Sequence, residues 1–510
     1  MKKPNILLIT TDQQHFSALG VVNDAIKTPN LDRLCAQGTR FDKAYCPSPV
    51  CTPSRASIIT GLYPSHHGAW TIGVKLPEDV PTVGEHLSKA GYKTGLIGKA
   101  HFQPLAGDSL EKQPTLRDIP FWRGFNGPHY GFDHVELVRS HADETHVGQH
   151  YAAWMEDKGL KDWKNYFQPL PGEDAPNAPQ RAQNAPYWAR KDRHWDLPED
   201  MHYTPWIGER SRAFINEAQN DEQSFFLWAS FPDPHPPYAV PEPWASMYDP
   251  EDMEPGSVSQ GEHERNAPHF AKTQEEDPDF GSWHQPHEAH GCASHLYPRD
   301  ELKKDMAVYY GMMSLLDREI GLILDDLDAR GLSDNTLIVF TTDHGHFLGQ
   351  HGLVAKGPFH YEDMLRIPFI VSWPGKVPEG QVSDAIQSLV DLTPSFLDAA
   401  GLGAPTDLQG VSQLDVWTGQ VAQARDFAIC ENRHNPTMPH VTSYMNARYK
   451  ITVYREGDEG ELFDLVEDPG EIHNLWRDPA STALKSAMLH EMIQGLQKSE
   501  PMKMPRVAQA

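Results

Sequence analysis

Cysteine is scarce in this chain. Five thiols in 510 residues, Cys35, Cys46, Cys51, Cys292 and Cys430, make no disulfide framework, and an odd count leaves at least one unpaired. Positive charge is also in deficit: 44 Lys and Arg against 71 Asp and Glu give a net charge of −27. That argues against nucleic acid as a partner, because neutralising phosphates needs a basic face. It leaves room for a small anionic substrate, since a few cations in a pocket override the global sign locally. No apolar run approaches the length of a membrane span, and no membrane association is expected. Lys2 and Lys3 imitate the start of a signal peptide, but the apolar stretch from Ile6 to Ile9 is too short for its core, so a cytoplasmic location is expected. Internal repeats and low-complexity runs are missing as well.

What remains has the composition of a soluble globular protein, 39% hydrophobic and 23% charged. The length is too great for one simple core, which points to a large domain with a smaller one. "NILLIT" at 5–10 is short, apolar and rich in β-branched residues, as a strand buried on both faces would be. "TPNLDRLCAQG" follows with a cap, an amphipathic run and a terminal glycine, the pattern of a helix. "TVGEHLSKAGYKTGLIGKAHF" repeats helix then strand. A long helical pattern over 302–332 leads into "NTLIVFTTDHG", and "RIPFIVSWPG" reads as a further strand. The alternation predicts an α/β core with a largely parallel sheet flanked by helices. Ligands of such sheets collect beyond the carboxyl ends of the strands. After about residue 405 the pattern changes. "DFAICEN", "VTSYMNARYKITVYRE" and "GELFDLVEDPGEIHNL" read as short antiparallel strands, and 481–498 as a helix. The expected division is thus a catalytic domain over 1–405 and a smaller α+β unit over 406–510. Segments of about 150–206 and 241–298 break the pattern and read as insertions over the strand ends.

The chemistry-bearing residues gather at predicted strand ends. "TTDQQ" and "TTDHG" put Asp12-Gln13 and Asp343-His344 at equivalent places. Two carboxylates, an amide oxygen and an imidazole suit Ca²⁺, Mg²⁺ or Mn²⁺, the imidazole favouring Mn²⁺. Each pair alone reads more readily as helix caps; the two together favour a metal. Lys99 and His101 stand two apart, so an extended chain would aim both the same way. His235 sits in the proline frame "PDPHPPY", and Lys356 lies in "AKGPFHYED". Convergence of Arg55, Lys99, His101, His235 and Lys356 beside a metal would make a pocket for a tetrahedral oxyanion. Cys51, taken alone, is a buried thiol or a thiolate nucleophile with Arg55 one helical turn away. Neither reading explains the string Cys-Thr-Pro-Ser-Arg.

"CTPSRASIITGLYP" resembles the signature of the formylglycine-dependent (type I) sulfatases, a family of the alkaline phosphatase superfamily, and "GYKTGLIGKAHF" resembles its second signature. "DQ", "PHPPY", "DHG" and the lysine of "AKGPFHYED" fall in the family's order, and "TPNLDRL" and "ELFDLVEDPGEIHNL" look like sulfatase segments. The resemblance implies an alkaline-phosphatase-like sandwich with a smaller C-terminal domain that carries an antiparallel sheet and a helix. It implies that Cys51 is oxidised to formylglycine by a modifying enzyme guided by Pro53 and Arg55. It implies one divalent metal, Ca²⁺ in most of the family, held by Asp12, Gln13, residue 51, Asp343 and His344. By the same match, Arg55 and Lys99 hold the formylglycine and the developing charge, and His101 assists the nucleophile or the breakdown of the intermediate. His235 and Lys356 bind sulfate and protonate the leaving oxygen. Many members have Asp-Asp and Asp-Asn at the two metal positions, where this chain has Asp12-Gln13 and Asp343-His344. Such pairs also occur in relatives resembling phosphonate monoester hydrolases and phosphodiesterases, which stand as the alternative function; a binding relative without chemistry is more remote. The expected substrate is a small aryl, sugar or choline-type sulfate ester. Aromatics of the first insertion could stack on it or pack the insertion onto the core. The tail "KSEPMKMPRVAQA" would be a dimer arm or frayed, which leaves a homo-oligomer open.

Overall fold

The structure is a computed structural model and describes residues 3–182, 188–275, 297–433 and 439–501. Eight strands build the main sheet: β1 (Asn5–Thr11), β2 (Thr39–Phe41), β3 (Lys93–Gly98), β4 (His134–Leu137), β5 (Phe225–Ser230), β6 (Thr336–Thr342), β7 (Phe369–Ser372) and β8 (Gln381–Ser383). They lie in the order β8-β2-β7-β6-β1-β5-β3-β4. Only β7 runs against its neighbours; the other pairings are parallel. Every residue of the central strands β1, β5 and β6 is buried. That is why they read as continuous apolar runs rather than alternating ones. Ile6 and Leu8 face one hydrophobic layer and Leu7 and Ile9 the other, so helices cover both faces.

Helices α1 (Pro29–Ala36), α2 (Cys51–Thr60), α3 (Val83–Lys89), α4 (Gln149–Asp157), α5 (Tyr203–Asn220) and α6 (Arg299–Ala329) surround this sheet. Helix α2 is buried at all ten positions and stops at Gly61, whose φ of 68° is left-handed. β9 (Ala428–Asn432), β10 (Val441–Met445), β11 (Tyr449–Tyr454) and β12 (Gly460–Asp464) form a C-terminal antiparallel meander. α7 (Thr482–Lys498) packs over it through Met488 and Met492.

The expected mostly parallel sheet with a C-terminal antiparallel sheet and helix is therefore present. Three of its strands, β2, β4 and β8, were not read from the sequence; each is three or four residues long and held by pairing rather than by propensity. The first insertion is less loop-like than expected, since α4 lies in it and α5 begins there. Five of its described rings pack into the core: Tyr151, Trp163, Phe167, Trp195 and Trp206 are each 1% exposed or less. In the second insertion, residues 250–275 carry three short helical segments. Its part over 276–296, Cys292 and the tail beyond 501 lie outside the described residues. Among the described residues no helix is long and apolar enough to cross a membrane.

Candidate active site

The carboxyl ends of β1, β3, β4, β5 and β6 converge on the N-terminus of α2. Asp12 follows β1, Lys99 follows β3, and Asp343 follows β6. His235 lies in the proline loop after β5 and His141 in the turn after β4. Gly98 makes this convergence close. Its φ is 111°, and a Cβ there would stand 1.9 Å from the Ser230 carbonyl oxygen, so only glycine lets β3 finish against β5.

Cys51 is the first residue of α2, with its Sγ inside the cluster. Lys356 Nζ lies 3.1 Å from Sγ, His344 Nε2 3.2 Å and Asp12 Oδ1 3.6 Å. Ligand atoms of Asp12, Cys51, Asp343 and His344 all lie within 4.8 Å of one another. Arg55, one turn along α2, spans the two carboxylates: Nε donates to Asp343 Oδ2 at 2.9 Å and Nη2 to Asp12 Oδ2 at 2.9 Å. Its remaining contacts go to the Lys99 carbonyl and Ser230 Oγ. Lys99 Nζ donates to Asp12 as well. The second oxygen of Asp343 accepts from the backbone N–H of Gln13 and of His344, both at 3.0 Å.

These contacts set the charges. Burial alone would raise the Asp12 carboxyl, but Lys99 and Arg55 override it and hold it well below the usual range. Asp343 is likewise held low against burial and against Asp12, by His344 and Arg55. Burial and Asp12 push the Cys51 thiol up, and Lys356 and Lys99 outweigh them, leaving it below the ordinary value. Arg55, one turn away and available to a thiolate on spacing alone, bonds the two aspartates.

The donors fit a divalent cation. Gln13 Nε2 is tied to His346 Nδ1 at 2.8 Å, while its Oε1 is buried with no hydrogen-bond partner. His344 Nδ1 faces the Gly345 carbonyl at 3.0 Å, so that nitrogen carries a proton; against burial, Asp343 and Cys51 raise the ring above its ordinary value, and Nε2 would present its lone pair to a cation that took the place of its proton. Two ionised carboxylates, an orphaned amide oxygen and an imidazole lone pair make a set for a hard or borderline ion.

Lys356 Nζ also meets His235 Nε2 at 3.0 Å, and His235 Nδ1 bonds the Pro236 carbonyl. His101 departs from expectation. Its φ of 60° turns the chain out of an extended path, so it does not simply repeat the direction of Lys99. Both its ring nitrogens are buried without a hydrogen-bond partner, and burial, helped by Arg139 and Lys99, holds the ring neutral. His141 and Glu144 were missed by the motif reading. The available signal was "HVELVRSHADE", a short apolar run followed by His and acids at its end, the pattern that marked Asp12 and Asp343.

The sulfatase family profile matches residues 4–402. This chain belongs to the sulfatase family. A second profile, that of the C-terminal part of N-sulphoglucosamine sulphohydrolase, matches residues 349–499 of this sulfatase. An arylsulfatase of Clostridium perfringens is 30% identical over 93% of this chain and 90% of its own length. An N-acetylglucosamine-6-O-sulfatase of Bacteroides thetaiotaomicron is 27% identical, over 98% and 87%. Among solved structures, a phosphonate monoester hydrolase from Silicibacter pomeroyi superposes with a TM-score of 0.77 at 22% identity, over 98% of this chain and 96% of that one. That match speaks to fold alone. This sulfatase is an arylsulfatase-like member of the alkaline phosphatase superfamily.

Proposed function

We propose that this sulfatase hydrolyses small sulfate monoesters, of aryl, sugar or choline type, to an alcohol and inorganic sulfate. Cys51 is first oxidised to formylglycine by a generating enzyme that reads the Cys-Thr-Pro-Ser-Arg string. The supporting observation is the placement of residue 51: its side chain begins a wholly buried helix, 3.1 Å from a lysine ammonium, and with Asp12, Asp343 and His344 makes a cluster that could hold a metal ion. Asp12, Gln13, Asp343 and His344 would hold the divalent cation; the family favours Ca²⁺, and the imidazole would also suit Mn²⁺. As its hydrate, formylglycine would supply an oxygen nucleophile for sulfur and a second hydroxyl whose deprotonation lets sulfate leave, and a bound cation would supply Lewis acidity to the site.

The chain's own residues do the rest. Arg55 keeps Asp12 and Asp343 ionised side by side. Lys99 spends one N–H on Asp12 and one on His141, and Lys356 one on position 51 and one on His235. Each lysine keeps one N–H for a sulfate oxygen, where a fixed positive charge in a dry pocket acts strongly. The proton for the departing alkoxide sits on Lys356 Nζ and is shared with His235 Nε2, because His235 Nδ1 is occupied by the Pro236 carbonyl.

The test is mass spectrometry of the peptide containing Cys51, from a host that converts a control sulfatase, followed by turnover of an aryl sulfate and an aryl phosphonate ester. An aldehyde trapped by hydrazine, with the sulfate preferred, supports the proposal. An unmodified thiol in that host sinks it, and a preference for the phosphonate reassigns the substrate class.

A further inference from the structure

One imidazole at the centre of the site enters the chemistry above only as the acceptor of a Lys99 N–H. His141 Nδ1 lies 2.8 Å from Glu144 Oε2, and the His141 backbone N–H donates to the same oxygen at 3.2 Å. A carboxylate only accepts, so Nδ1 carries the proton and Nε2 offers a lone pair. That lone pair receives Lys99 Nζ at 2.6 Å. The His141 ring lies flat on His235, with centroids 3.7 Å apart and planes 17° apart. His235 in turn receives Lys356 Nζ. The site thus holds two lysine–imidazole pairs, stacked ring on ring. In a buried site, each lysine would otherwise swing on a four-carbon stem with only one anchor, on Asp12 or at residue 51.

We infer that His141, oriented by Glu144, is a positioning residue: it aims the Lys99 ammonium and fixes the ring plane of His235, so that Lys99 and Lys356 close on one sulfate group from two sides. The inference rests on the sulfate-ester reading. His141 lies in neither signature string of the family and in neither predicted metal pair; it enters through the fold. It also forms, with Asp12 and His235, a second group of clustered ligand atoms. A cation there is disfavoured, because Lys99 Nζ already occupies the lone pair on His141 and Lys356 Nζ that on His235. The geometry points to an anion clamp.

The experiment uses the full-length, formylglycine-bearing, metal-loaded protein with His141→Leu, His141→Gln and Glu144→Leu. Two quantities are read: the affinity for inorganic sulfate by titration calorimetry, and kcat and KM for aryl sulfates of graded leaving-group pKa. Leucine removes the acceptor at similar size, whereas the glutamine amide oxygen can replace Nε2 toward Lys99. His141→Leu is expected to weaken sulfate binding about 10-fold and to lower kcat/KM about 30- to 100-fold, equally across the series. His141→Gln should recover to within about threefold of the wild type, and Glu144→Leu should show part of the loss. Sulfate affinity alike in wild type and His141→Leu overturns the inference. So does a glutamine variant no better than leucine, and so does a loss that grows with leaving-group pKa, which would place His141 in proton delivery. If the wild type turns over no sulfate ester, the functional reading fails on its own, while the sulfate titration still decides His141.

Discussion

Two buried ionic clusters draw on the same stretch of chain, one through Lys356 and the other through Glu362. Around Cys51, the cations Arg55, Lys99 and Lys356 face Asp12 and Asp343. Under the C-terminal meander, Lys450 alone faces Glu471, with Glu362 at 3.9 Å and Glu461 nearby. Lys450, Glu461 and Glu471 are as deeply buried as the residues of the first cluster. The carboxyls behave oppositely. Asp12 and Asp343 are held below the usual range against their burial. Burial pushes Glu461 up to about 7, with Tyr454 and Lys450 offsetting only part of it, and raises Glu471 too. Desolvation is common to both clusters, so the balance of cations and acids decides the sign. The first cluster keeps its acids ionised, the state a metal site needs. The second ties β11, through Lys450, to the segment after Lys356; His360 Nδ1 on Ser443 Oγ at 2.7 Å ties β10 to the same segment, and together they work as a latch.

The contrast is broken most severely at residue 51. Cys51→Ser keeps an oxygen but lacks the second hydroxyl, so steady-state turnover is expected to fall at least about 10⁴-fold. A sulfated serine peptide seen by mass spectrometry would show the chain stalled after transfer; full turnover by this variant would contradict the diol route. Next comes Arg55→Lys. A single ammonium cannot bridge both carboxylates as the guanidinium fork does, and metal affinity should drop about 100-fold, read by titrating the chelator-stripped protein. Chelation of the wild type should abolish turnover reversibly.

Paired replacements sharpen the comparison. Lys356→Met should lower kcat about 100-fold with Tm changed little, since the site gains apolar volume where it lost a charge. Lys450→Met should do the reverse, preserving kcat while lowering Tm by a few degrees above neutral pH, read by calorimetry. The smallest effect is at Glu461. Its folded pKa of about 7 lies above the ordinary 4.5, so the stability contributed by its proton is complete below about 4.5 and is lost as pH rises through 7. Glu461→Gln keeps a neutral side chain throughout. It should match the wild type near pH 5 and exceed it by about 2 kcal/mol near pH 8, a Tm gain of about 2–4 °C. Equal Tm values at both pH values would remove Glu461 from the latch.

Legibility followed sequence locality. The central strands, α1, α3, α6 and the C-terminal meander could be read because each is a run of residues whose own pattern states its environment. The short strands β2, β4 and β8 could not, since three or four residues carry too little pattern and their pairing supplies the order. The same divide runs through the site. Asp12, Cys51, Arg55, Lys99, His235, Asp343 and Lys356 stood out in strings, and the fold brings all seven together. His101 stood out too, yet its ring carries no hydrogen bond among the described residues. The aromatic insertion was ambiguous until burial assigned five of its described rings to the core.

By itself, the sequence determined which residues stand at the ends of which strands, because apolar runs and the Cys-Thr-Pro-Ser-Arg string are local patterns. Tertiary structure alone decided how those ends are shared. It gave Arg55 to the two aspartates rather than to the thiol, left the Gln13 oxygen without a donor, and laid His141 on His235. Those partners are separated by 43 to 288 residues in the first case, and no pattern of neighbours along a chain encodes a contact made only when five strand ends meet.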